Sequence, residues 1–143
     1  MKFKALTDGR PKTFMLVFDK GDEFTSTLVH FAEQQGLKGS RFNGLGAFRN
    51  ATVAFFERER KDYLKIEINE QVEVLSLVGN IATTDAGPRI HAHVVIGKRD
   101  GSAHGGHLLK ARVWPTLELI LIESPTALRR VVDDETNLPL IAL

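Results

Sequence analysis

The chain has 143 residues, 43% of them apolar, and its 19 Lys and Arg against 18 Asp and Glu give a formal net charge of +1. That length makes one hydrophobic core, so residues 1–143 are predicted to be a single domain, and the near-neutral charge supplies no overall field for phosphate backbones or anionic membranes. The lack of cysteine excludes disulfides, thiolate metal sites and a cysteine nucleophile, leaving histidine and carboxylates as metal ligands.

In chain order, the apolar run 14–18 predicts a strand covered on both faces and placed centrally. The run is too short for a signal-peptide core and Asp19 follows it; no stretch reaches the ~18 apolar residues of a membrane span. A cytoplasmic protein without membrane segments is expected. From Asp22, which can cap the first turn, Phe24, Leu28 and Phe31 recur at helical spacing until Gly36 supplies a left-handed stop. Segments 41–48, 51–57 and 63–68 read as strands joined by hairpins, and 72–81 as an interior strand with apolar residues on both faces. Gly44 and Gly46 are expected to allow close strand approach, since no helix start follows them to make a phosphate cradle. After Gly87-Pro88, residues 90–97 alternate, 102–109 return through an Asp100-Gly101 hairpin, and 117–122 form a last strong strand. Ser124-Pro125 can start a short helix through residue 132, ahead of the tail 138–143. One main helix packed on an antiparallel-dominated sheet, α+β in class, is the predicted architecture.

Four of the five histidines, at positions 91, 93, 104 and 107, fall on the two strands flanking Asp100-Gly101. Residues i and i+2 of a strand share a face, so His91 and His93 can converge on one ion. A two-residue turn would pair Gly97 with His104 and Val94 with His107, which puts His107 on the wrong face. A bulge at Gly105-Gly106 moves His107 opposite His93 and leaves His104 about 13 Å away. The expected metal ligands are therefore His91, His93 and His107. Imidazoles without thiolate favour zinc, with nickel, copper or iron as alternatives, and a fourth position is open to water, a carboxylate or a partner-chain residue.

Gly44-Leu45-Gly46-Ala47, Glu73-Val74-Leu75-Ser76-Leu77-Val78-Gly79, Ile90-His91-Ala92-His93 and Gly105-Gly106-His107-Leu108 together resemble the PPC domain family, also called DUF296. The resemblance covers nearly the whole chain and is closest to the prokaryotic stand-alone members. It implies a compact domain that assembles as a homotrimer, with metal on the histidines in some members and a DNA-binding designation inherited from plant relatives that carry AT-hooks. This sequence has no AT-hook, and its basic runs at 58–61 and 129–130 are mixed with or followed by acids.

Two functions follow: a metal-binding homotrimeric module with a regulatory or DNA-binding role, and, alternatively, a zinc-dependent enzyme acting on a small molecule through a water on the three-histidine ion. The enzyme needs a general base, for which Glu73, Asp85 and Glu118 are the candidates.

Overall fold

The computed structural model describes residues 1–7, 9 and 11–143. Its elements are β1 (Lys2–Ala5), β2 (Thr13–Phe18), α1 (Phe24–Gln35), β3 (Gly39–Glu57), β4 (Asp62–Ile68), β5 (Val72–Thr84), β6 (Gly87–Gly97), β7 (Ala103–Glu123), β8 (Arg129–Val132) and β9 (Pro139–Ala142). The nine strands form one sheet in the order β1-β2-β7-β3-β5-β8-β9, with β4 on β3 and with β6 joining β5 to β7. Every strand pair is antiparallel except the short parallel contact of Thr83 with Arg129. The α+β, antiparallel-dominated architecture expected from the sequence is therefore present.

The segments 41–48 and 51–57 are one long strand, and so are 102–109 and 117–122. Register shifts in β3 near Gly46, Phe48 and Thr52 let each long strand bend and change neighbours without ending. As a result β3, β5, β6 and β7 close a circuit in which each pairs with two of the others.

Helix α1 covers one face of the sheet. Phe24, Leu28, Phe31 and Ala32 are fully buried, at the i, i+4, i+7, i+8 spacing of an apolar helix face, against Phe14, Phe42 and Leu117 of the strands. Glu23, not Asp22, is the N-cap: its carboxylate accepts from the Ser26 N–H at 2.7 Å and from the Ala111 N–H at 3.3 Å, tying the helix start to β7. Asp22 accepts from the Asp19 N–H instead.

Two strand expectations are corrected by this one-sided burial, and a helix expectation by hydrogen bonding. Strand β2 lies next to the short β1, with Phe14, Leu16 and Phe18 buried and Met15 and Val17 only partly covered. Strand β5 is interior in the strand order, yet Leu75 and Val78 are exposed because no helix among the described residues lies over that face. Residues 124–132 form no helix: the Ser124 and Leu128 N–H groups donate to Gly39 and Lys38 carbonyls, so β3 and its approach take the bonds a helix would have used.

Candidate metal centre

Strand β6 puts Ala92, Val94 and Ile96 into the core and Arg89, His91 and His93 on the opposite, helix-free face. His107 of β7 is the direct partner of His93, and directly paired residues present their side chains on one face. The ring nitrogens of His91, His93 and His107 consequently gather within 4.8 Å of one another. His91 Nε2 and His93 Nε2 are 3.1 Å apart; two nitrogens on one tetrahedral zinc at its usual bond lengths would stand about 3.3 Å apart. His104 pairs with Ile96, on the core side of β6, and does not join the cluster.

The register comes from the turn, which corrects the expected bulge. Lys98 donates to the Ser102 carbonyl and Gly101 to the Lys98 carbonyl, both at 2.9 Å, with Gly101 at φ +82°. Three residues, 99–101, therefore make the loop, and the left-handed last position needs glycine. From Gly97–Ala103 to His93–His107 the pairing is regular. Gly105 and Gly106 act by their size: a Cβ on either would come within 2.8 Å of a backbone oxygen, of Val94 or of Ala54 respectively.

Burial and then repulsion from its two companions push His107 down to about 4, with Arg89 and Arg130 adding to the effect. His91 is lowered too, by burial first and then by Arg130, His93 and Arg89. Neutral imidazole is the form that ligates a metal. His107 Nδ1 is buried without a hydrogen-bond partner among the described residues, while Tyr63 stacks on the His107 ring at 4.7 Å and fixes its plane. A preassembled trio of nitrogen donors with an orphaned buried nitrogen fits a divalent ion.

None of the proposed general bases is near. Glu73 pairs with Gly97 at the far end of β6, Asp85 is paired with Arg129 in the β5–β6 turn, and Glu118 lies opposite Val17 and Leu45. Beside the histidines runs a cleft of about 360 Å³ whose polar walls are Tyr63, Asn80, Arg89 and Arg130 and which, among the described residues, no Asp or Glu lines. Arg89 was within reach of sequence reasoning, since the alternation that joins His91 to His93 includes position 89. Asn80, paired with His91 across β5 and β6, and Arg130, in the segment expected to be helical, carried no such signal.

The family model of the Plants and Prokaryotes Conserved (PCC) domain matches residues 6–125. The chain belongs to this family. As a PCC domain it is similar along 99% of its length to a metal-containing protein of Archaeoglobus fulgidus, at 33% identity and TM-score 0.86, covering 97% of that chain. A plant- and prokaryote-conserved protein of Pyrococcus horikoshii matches at 28% identity and TM-score 0.86, with 99% and 96% of the two chains covered. A Ralstonia eutropha protein named as a candidate DNA-binding protein matches at 27% identity and TM-score 0.89, again with 99% and 96% covered. Comparison with curated proteins finds no match.

Proposed function

We propose that this PCC domain is a homotrimeric metal-binding module carrying one divalent ion per chain on His91, His93 and His107. The observation that carries the reading is that ring nitrogens of the three histidines lie within 4.8 Å of one another, with His107 Nδ1 buried and without a partner among the described residues. Zinc suits this all-imidazole set best, and the metal-containing relative from Archaeoglobus fulgidus supports the metal itself. When bound, such an ion supplies positive charge and an open coordination position. The chain's own part is to hold His107 and His91 neutral by burial and to orient His107 through Tyr63.

Assembly as a trimer is supported by the family resemblance and by apolar side chains on the helix-free face: Leu45, Leu75, Val78 and Val95 are between 43% and 62% exposed. Contiguous apolar surface of this kind marks an association face. A regulatory role in the cytoplasm is part of this proposal, on the family resemblance alone. No helix among the described residues is long and apolar enough to cross a membrane. The DNA-binding designation of the Ralstonia relative carries over only as weak, unselective contact, given a net charge of +1. The zinc-enzyme alternative has less support, because Glu73, Asp85 and Glu118 all lie away from the cleft. Elemental analysis of protein purified without chelators tests the metal, and light scattering tests the trimer.

A further inference from the structure

The cleft beside the histidine cluster holds two cations, and among the described residues no carboxylate lines it. Arg130 is 7% exposed, and burying a guanidinium is costly unless its charge is compensated. Its Nη1 donates to the Pro139 carbonyl at 2.8 Å and its Nη2 to Asn80 Oδ1 at 2.5 Å; both acceptors are neutral. Its Nε is buried and has no partner among the described residues. Arg89, exposed on the same cleft wall, likewise forms no salt bridge among the described residues. Burial and then the charge of Arg89 lower Arg130, yet a guanidinium stays charged at neutral pH. The remaining wall is apolar, formed by Leu109 and by Leu138, Leu140 and Ile141 at the chain's end.

We infer that this cleft binds a small organic oxyanion, a phosphate monoester or a carboxylate with an apolar body, whose head group is held by Arg130 and Arg89 beside the histidine cluster. An oxyanion supplies the acceptors that Nε and the free guanidinium hydrogens require, and arginine's planar fork suits both head groups. The apolar wall then covers the body of the molecule, as in ordinary small-ligand pockets. The inference rests on the metal reading for the affinity an ion would add; the two guanidiniums belong to the chain and act with or without it.

Isothermal titration with phenyl phosphate, benzoate and inorganic phosphate tests this, on metal-free and zinc-loaded protein whose metal content is measured in parallel. Phenyl phosphate or benzoate should bind the wild type more tightly than inorganic phosphate, and whichever binds better identifies the head group. Arg89→Gln, at an exposed position, should weaken that binding roughly tenfold or more, the usual scale for a hydrogen bond to a charged group. Arg130→Lys should do so at least as strongly, with circular dichroism confirming that the variant is folded; if it is not, Arg89→Gln alone decides. Failure of zinc to load, with the anion still bound, would remove the metal reading and leave this one standing. No binding of either organic anion in either metal state would overturn the inference, as would equal binding by wild type and Arg89→Gln.

Discussion

His93 and His107 face each other as directly paired residues of β6 and β7, and the rings meet edge to face with centroids 5.4 Å apart. The pairing is fixed by a three-residue turn only a few residues away, so two of the three nitrogen donors are aligned by a local hairpin. His91 joins through strand alternation, with its ring centroid 5.1 Å from each of the other two. The cluster therefore depends on backbone register more than on side-chain packing, since a one-residue slip would send His107 to the core face.

Strand β5 sets the position of His91 from the other side. A Cβ at Gly79 would stand 2.6 Å from the His91 carbonyl oxygen and would run into the Phe42 ring. Gly79→Ala should destabilise the protein by about 1–3 kcal/mol through overpacking and weaken metal binding along with it. Chemical denaturation and a zinc titration check the two effects together; a variant as stable as wild type would mean that β5 gives way here without strain.

The metal-free protein should lose stability on acidification. His107 is held at about 4 in the folded state, whereas an unfolded histidine titrates near ~6.5. Between those values the unfolded chain binds more protons, so stability falls as pH drops. Its contribution is intact above about pH 6.5 and is lost as pH falls through about 4. Thermal melts of chelator-treated protein should show this decline, and His107→Gln should flatten it; equal slopes for the two proteins would contradict the assignment.

In light scattering the protein should have three times the 15.9 kDa chain mass. Leu75→Glu, which puts a charge among the exposed apolar residues of the helix-free face, should lower that mass while circular dichroism stays unchanged. A wild-type monomer at micromolar concentration would remove the trimer, and a dimer would replace its symmetry.

Binding to duplex DNA should be weak, steeply salt-dependent and indifferent to sequence, because no groove-reading motif is legible and the net charge is +1. Fluorescence anisotropy with two unrelated duplexes checks this. Nanomolar, selective binding at physiological salt would restore a specific regulatory role on DNA.

The clustering of His91, His93 and His107 was legible in the sequence, while several details of the surrounding strands were not. Period-two alternation identifies the shared face of His91 and His93 wherever the strand lies, whereas the face of His107 depends on the turn geometry, which alternation alone does not fix. The register shift expected of a Gly105-Gly106 bulge is made in the turn at Gly101, because a left-handed third loop residue changes the pairing as a bulge would. Coverage of a strand was harder to read: the apolar run 14–18 and the mixed faces of β5 look interior, while their exposure depends on where α1 docks. Residues 124–132 have a local helix signal that long-range hydrogen bonds to Lys38 and Gly39 override. Arg130 reaches the cleft only because β8 joins the sheet beside β5, a contact between residues far apart in the chain.

His91, His93 and His107 are proposed to form one metal centre from which His104 is excluded by the face it occupies. Elemental analysis of wild type and of His91→Ala, His93→Ala, His107→Ala and His104→Ala, each purified without chelators and then titrated with zinc, tests it most directly. One equivalent of metal per chain is expected for wild type and His104→Ala, with a sharp loss in the other three, since each removes one of only three protein ligands. A wild type that binds no zinc, or a loss confined to His104→Ala, would contradict the account.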